Sequence, residues 1–281
     1  MRIIVTGASG QLGKEVTACL TQNSQYKVFP LDKKDLNITN GEMVKTTIAE
    51  INPHWIVHCA AYTNVDAAEV VGKELCWSVN KEGAYYMGKA AAVSNAKVIY
   101  ISTDYVFDGK KQSAYEVTDE TNPLNVYGAS KLAGEKEILS MVEGSYIIRT
   151  SWVFGEYGKN FVYTMLKLSN SSKNILVVND QYGRPTYTKD LANFIAYIIR
   201  NNPPTGIYHF ANENTTTWFN FAKEILKYQD VQVMPVSSKD FIQKAVRPKH
   251  TVLSLDKTKN YYNIRTWEDA LQSFMRSLGK K

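Results

Sequence analysis

Residues 2–13 read Arg2-Ile3-Ile4-Val5-Thr6-Gly7-Ala8-Ser9-Gly10-Gln11-Leu12-Gly13, an apolar run that breaks into three glycines spaced three apart. The opening residues have the character of a strand, and residues 12–20 carry helical periodicity. Glycines between a strand and a helix serve a phosphate-binding turn. They permit a tight bend, a close approach of backbone to pyrophosphate, and close packing of helix on strand. The helix N-terminus then offers unpaired N–H groups to the phosphates. With 16 glycines in 281 residues, this spacing arises by chance only about 0.05 times. It differs from the G-x-G-x-x-G of many dehydrogenases and marks another branch of dinucleotide binders.

The alternation continues downstream. Strand-like runs at residues 27–31, 55–59, 97–101 and 145–149 are separated by helical stretches near 41–51, 72–93 and 127–141. Strands that are apolar throughout belong to parallel sheets covered on both faces. A doubly wound, Rossmann-like α/β sheet is therefore expected. Beyond Arg149 the rhythm loosens: strands near 175–178 and 206–210, helices near 190–200, 218–228 and 267–278. Prolines mark loops at 183–187, 203–204 and 247–248. The expected division is a dinucleotide-binding domain over residues 1–150 and a smaller, mainly substrate-binding α/β domain over 151–281, with about 188–210 packing back on the first.

Composition removes other classes. Hydrophobic residues make up 44% and charged residues 21% of the chain, enough for a core without metals or disulfides. Cys19, Cys59 and Cys76 form no C-x-x-C pair and read as reduced packing thiols. No apolar run is long enough to span a membrane, and the opening stretch is too short for a signal peptide. A cytoplasmic protein is expected. The net charge of +6 is scattered over pairs such as Lys33-Lys34, Lys110-Lys111 and Lys280-Lys281. That is no nucleic-acid stripe, and small polyanions suit it better. His54, His58, His209 and His250 offer no metal set, and no nucleophile elbow accompanies them.

Asp32 ends the second strand, where a carboxylate takes adenosine ribose hydroxyls and repels a 2′-phosphate. Lys33 and Lys34 follow and would welcome that phosphate, so NAD and NADP both remain open. A Tyr-x-x-x-Lys spacing puts phenol and ammonium on one helix face, where the ammonium is expected to draw the phenol's pKa downward for acid–base work. The 18 tyrosines and 26 lysines predict about 1.7 such pairs by composition. Three occur: Tyr85/Lys89, Tyr127/Lys131 and Tyr163/Lys167. Ligands of open α/β sheets sit beyond the carboxyl ends of strands. There Ser102-Thr103-Asp104-Tyr105 supplies hydroxyls, and Tyr127 starts the next helix on the same side. Thr103, Tyr127 and Lys131 are the expected catalytic set. Tyr85 reads as packing or solvated, and Tyr163 as helix surface.

Glycine loop, strand-end hydroxyl and Tyr-x-x-x-Lys together resemble the extended short-chain dehydrogenase/reductase superfamily, and within it the dTDP-4-dehydrorhamnose reductase family. The resemblance runs through residues 5–13, 59–66, 102–107, 125–131, 149–153, 179–183 and 245–248, in family order. It implies NADPH- or NADH-dependent reduction of a dTDP-sugar at C4, giving dTDP-L-rhamnose. Gly10, Gln11 and Leu12, in the loop bounded by Gly7 and Gly13, would meet the cofactor pyrophosphate. Asp32 would meet the ribose, and Asn37 and Ile38 would flank adenine, where the family often has aspartate. Ala61, Tyr62 and Thr63 would line the nicotinamide side. Tyr127 would donate the proton, and Lys131 would hold the nicotinamide ribose. Thr103, Asp104, Tyr105 and Trp152 would contact the sugar, and Arg247 the nucleotide's diphosphate, where a guanidinium binds bidentately. Some relatives form homodimers through Mg2+ on three glutamates. Glu15 matches one and Asp190 roughly faces another, but no third is found, so the metal is left unassigned. Rival readings are a sugar-nucleotide epimerase or dehydratase, or a non-catalytic regulatory subunit. Dehydratases follow the threonine with Asp-Glu, whereas Asp104-Tyr105 stands here.

Overall fold

The computed structural model describes residues 1–241 and 243–279, so Lys280 and Lys281 lie outside the described residues. Its centre is a six-stranded sheet, parallel throughout. The strands are β1 (Arg2–Thr6), β2 (Lys27–Leu31), β3 (Trp55–His58), β4 (Lys97–Thr103), β5 (Tyr146–Thr150) and a sixth from Gly206–His209. The spatial order is β2-β1-β3-β4-β5-sixth. β1 lies between β2 and β3, in register Thr6 to Leu31 on one side and Thr6 to His58 on the other. The winding therefore reverses beside β1, which makes the gap between the β1 and β3 ends the expected ligand crevice. This is the doubly wound Rossmann-like fold.

Strand alternation sorts the core into two layers. Ile3, Val5, Val57, Ile99 and Ile148 face α1 (Gln11–Thr21) and the Thr188–Asn201 helix. Ile4, Ile56, Val98 and Ile147 face α2 (Gly41–Ile51), the Gly83–Val93 helix and the Val126–Met141 helix. The inner strands β1, β3, β4 and β5 are largely apolar on both sides because helices cover both faces of the sheet. A third cluster, built on Phe154, Phe221 and Phe274, forms the core of the later chain.

Three elements differ from expectation. The stretch expected as one helix over 72–93 is Lys73–Trp77, a π-helical turn at Ser78–Glu82, and Gly83–Val93. The expected loop 183–187 contains two short strands around Arg184-Pro185. Tyr182–Gly183 pairs antiparallel with Thr216–Thr217, and Thr186–Tyr187 pairs parallel with Val153–Phe154. The strand Gln232–Val236 also escaped sequence reading because Pro235 interrupts it. Among the described residues it pairs only with Asn174–Val178, and proline is tolerated on such an edge.

Candidate active site

The site is assembled at the carboxyl ends of β1, β3, β4 and β5. Gly7 follows β1 at φ +62, and a Cβ there would lie 2.8 Å from Ala60 Cα. Only glycine lets the phosphate loop lie against the segment leaving β3. A cavity of about 490 Å³ extends from Gly10, Gln11, Leu12 and Gly13 to Thr103, Tyr127 and Lys131. Ala61, Thr63, Asp104, Tyr105 and Trp152 also line it. A second cavity, about 380 Å³, holds Asp32, Lys33, Asn37, Ile38 and Tyr62. Both are bounded by Gly7, Gly10, Cys59 and Ala61. A ribose-type carboxylate thus stands at one end, acid–base groups at the other, and a glycine cradle at the junction. A Cβ on Gly13 would meet Gly7 O at 2.2 Å. These residues fit a dinucleotide.

Tyr127 is brought to Thr103 by close packing. The Val126–Met141 helix is capped by Asn125, whose Oδ1 accepts from Gly128 N at 2.8 Å. A second acceptor, Glu69 Oε1, takes the N–H of Val126 at 2.7 Å. A Cβ on Gly128 would lie 2.1 Å from Tyr105 O, so the helix start sits directly on the turn after Thr103. Tyr127 and Thr103 line the same cavity. Contrary to the expectation from spacing, the phenol's pKa is raised: burial outweighs the opposing pull of Thr103. The nearby cation does not reverse this, because burial bears on it too. Lys131 is 2% exposed, and its ammonium is pulled down to about 7 by burial, against the opposing pull of Glu135. The Nζ lies 4.0 Å from the centre of the Tyr100 ring, a cation–π contact. Asp104, buried and bonded by Thr251 and Thr103, is raised to about 7 by burial.

Of the site residues expected from sequence, Arg247 alone lines neither cavity. Its guanidinium grips Asp66 bidentately, at 3.0 and 2.7 Å, and that bond holds the Asp66 carboxyl down at about 2. Asp66 also accepts from Lys244 N and Ala245 N. Asp190, set roughly opposite a metal ligand by the resemblance, spends its carboxylate on Arg265 and Asn212. Among the described residues no three His, Cys, Asp or Glu side chains form a metal-binding group. Tyr163 is a half-buried residue of the third core, not helix surface: its hydroxyl donates to Glu156 O at 3.1 Å and its ring packs on Phe274. Tyr85 is at the surface, with Lys89 over its ring.

Sequence reading missed three contributors. Asn80, in the π-turn, accepts from Tyr62 N at 2.9 Å and donates to Ser130 Oγ at 3.0 Å, tying the loop that follows β3 to the Tyr127 helix. The π-turn itself was the available signal, but it leaves no mark in periodicity. Trp218 stacks on Trp152 with centroids 3.7 Å apart, and both line the larger cavity. Trp152 is held at φ +48, a costly conformation for a bulky residue, with its ring over Gly183. Lys159 lines the same cavity near Gln11.

Comparison with known proteins matches this architecture. The family model described as RmlD substrate binding domain matches residues 1–279. The chain is 39% identical to the dTDP-4-dehydrorhamnose reductase of Aggregatibacter actinomycetemcomitans, over 97% of each chain. The crystal structure of dTDP-4-dehydrorhamnose reductase from Bacillus anthracis in complex with NADP is 41% identical, with a TM-score of 0.94 over 98% of this chain and 99% of that one. A Clostridium acetobutylicum dTDP-4-dehydrorhamnose reductase structure gives 36% identity and a TM-score of 0.95, over 99% of this chain and all of that one.

Proposed function

This chain belongs to the RmlD substrate binding domain family, and from that premise we propose that it reduces the C4 carbonyl of dTDP-4-dehydrorhamnose with NADPH or NADH. The product is dTDP-L-rhamnose, for rhamnose-containing surface polysaccharide. One observation carries the reading. Thr103, Tyr127 and Lys131 meet in one cavity that continues to the glycine loop.

The nicotinamide ring, when bound, supplies the hydride. The chain supplies the rest. Thr103 donates a hydrogen bond to the C4 oxygen and places it beside Tyr127. A phenol whose pKa is raised by burial keeps its proton until an alkoxide forms, which suits a donor in the direction of reduction. Lys131, itself buried, brings positive charge in its protonated form, and burial makes that charge count for more than in bulk. The stacked Trp152 and Trp218 give the sugar an apolar wall. Asp32 and Lys33 stand together at the adenosine end.

We assign residues 1–150 to the dinucleotide and 151–281 mainly to the sugar nucleotide, with about 188–210 completing the first sheet. The sixth strand, Gly206–His209, supports that division. Among the described residues no helix is long and apolar enough to cross a membrane. We place the protein in the cytoplasm, supported by three free thiols.

The test is a panel of nucleotide-linked 4-keto sugars with NADH and NADPH. Steady loss of reduced cofactor over many turnovers, in proportion to dTDP-4-dehydrorhamnose, is expected. Tightly retained NAD+ with substrate converted and no net loss of reduced cofactor would make the protein an epimerase or dehydratase. Asp32→Ala should move preference toward NADPH, since it removes the repulsion of a 2′-phosphate; an unchanged NADPH/NADH ratio of kcat/KM counts against the ribose role.

A further inference from the structure

We propose that Lys159, contributed by the later half of the chain, binds the pyrophosphate of the dinucleotide from the side opposite the glycine loop. The inference rests on the reductase reading and extends its cofactor site beyond residues 1–150.

Three observations place Lys159 there. First, its two chain neighbours both lie against Gln11, a residue of the phosphate loop, and one of them is bonded to it. Asn160 Nδ2 donates to Gln11 Oε1 at 3.0 Å. On the other side Gly158, at φ +71, backs onto Gln11, with its Cβ position 3.3 Å from Gln11 Cβ. Gln11 returns the contact by donating Nε2 to Val153 O at 3.2 Å. The Asn160 amide also donates to Gly155 O at 2.9 Å, which closes the loop on itself. Residue 159 therefore rides on a segment held against the start of α1.

Second, Lys159 lines the cavity together with Gly10, Gln11, Leu12 and Gly13. The other cation of that cavity, Lys131, is buried at the reacting end beside Tyr100. Third, the glycine loop brings no cationic side chain of its own. A helix N-terminus offers about half a charge, whereas a dinucleotide pyrophosphate carries two negative charges. A lysine poised over the first turn of α1 supplies the missing charge as a charge-assisted hydrogen bond.

A charge on the pyrophosphate acts equally on NADH and NADPH, which share that group. The measurement is the dissociation constant of each dinucleotide by titration calorimetry, without sugar nucleotide. Lys159→Ala should weaken both by about tenfold or more, and Lys159→Arg should stay within a few-fold of wild type. Lys45→Ala, which removes an exposed lysine paired with Glu42, controls for net charge and should change nothing. Added salt should weaken the wild type more than Lys159→Ala.

Unchanged binding in Lys159→Ala overturns the proposal. So does a loss confined to NADPH, which would put Lys159 on the 2′-phosphate. A raised KM for the sugar nucleotide with dinucleotide affinity intact also overturns it, because the lysine would then serve the other diphosphate. Wild-type protein that binds neither dinucleotide brings down the reductase reading together with this one. Tight wild-type binding with an unaffected Lys159→Ala brings down this one alone.

Discussion

In the proposed mechanism Tyr127 is the proton donor, and removing its phenol oxygen leaves the glycine loop and Asp32 in place. Tyr127→Phe should lower kcat by about 10²–10⁴ while leaving NADPH affinity unchanged by titration; turnover within a few-fold of wild type would take Tyr127 out of the mechanism. Tyr85→Phe should be silent. Tyr163→Phe should leave kcat unchanged and cost about 1 kcal/mol of stability, because its hydroxyl donates to Glu156 O. The three Tyr-x-x-x-Lys pairs are equivalent in spacing and differ only in what surrounds them. Arg247 poses a sharper question, since its guanidinium donates to Asp66 rather than lining either cavity. If it reaches the substrate diphosphate, Arg247→Ala should raise KM for the sugar nucleotide at least about 30-fold, with kcat nearly constant, as expected for a charged group remote from the reacting carbon. An unchanged KM accompanied by a lower Tm would make the Asp66–Arg247 pair a strap for residues 244–247.

At the scale of elements, the Val126–Met141 helix carries both Tyr127 and Lys131, the residues proposed for the chemistry, and the buried pair they stand on. One turn beyond Lys131, Glu135 is buried and pairs with Arg149 of β5 at 2.8 Å. Its Oε1 also accepts from Ser102 of β4, the residue before Thr103. A single carboxylate thus sets the helix against two strand ends. Removing one partner of such a pair strands the other charge in the core, at a cost of about 3–5 kcal/mol. Arg149→Met should therefore lower Tm by about 6–12 °C, and adding Glu135→Leu should recover part of the loss. A double variant no more stable than Arg149→Met would mean that the stranded carboxylate is not what destabilises. The sequence announced this helix by its Tyr-x-x-x-Lys. It did not announce what the helix stands on, because Glu135–Arg149 joins residues 14 apart on different elements. The π-turn at Ser78–Glu82 was illegible for another reason: one extra residue per turn hardly disturbs an apolar pattern, though it aims Asn80 between the Tyr62 loop and Ser130.

For the whole molecule, legibility follows sequence separation. The strands β1, β3, β4 and β5 were readable because both faces of each are buried, and the glycine loop because a phosphate turn demands one residue type at fixed spacing. The later chain was harder. Its short strands pair across 30 residues or more, as Tyr182–Gly183 with Thr216–Thr217, and Lys159, Trp218 and Asp66 matter only through partners far along the chain. His209 stands where such distant pieces meet. It ends the sixth strand, packs on Phe107, and accepts through its carbonyl from Thr258 at 2.5 Å. It is 0% exposed, and burial, reinforced by Arg149, lowers its pKa from 6.5 to about 3. The folded protein therefore keeps this ring neutral where the unfolded chain takes up a proton. The stability it contributes is full above pH 6.5 and is lost as pH falls toward 3. His58, also lowered to about 3 by burial, acts in the same direction. Asp104 opposes them: its pKa is raised to about 7, so its contribution is present below 3.8 and lost as pH rises through 7. The wild-type melting curve sums these slopes and cannot assign them, but a difference between proteins can. His209→Phe should sit below wild type in Tm at about pH 7.5 and close that gap by roughly 3–5 °C per pH unit below 6.5. A gap that stays constant down to about pH 4.5 would mean that His209 exchanges its proton in the folded state, and that the junction of sheet, Phe107 segment and C-terminal segment is open to water.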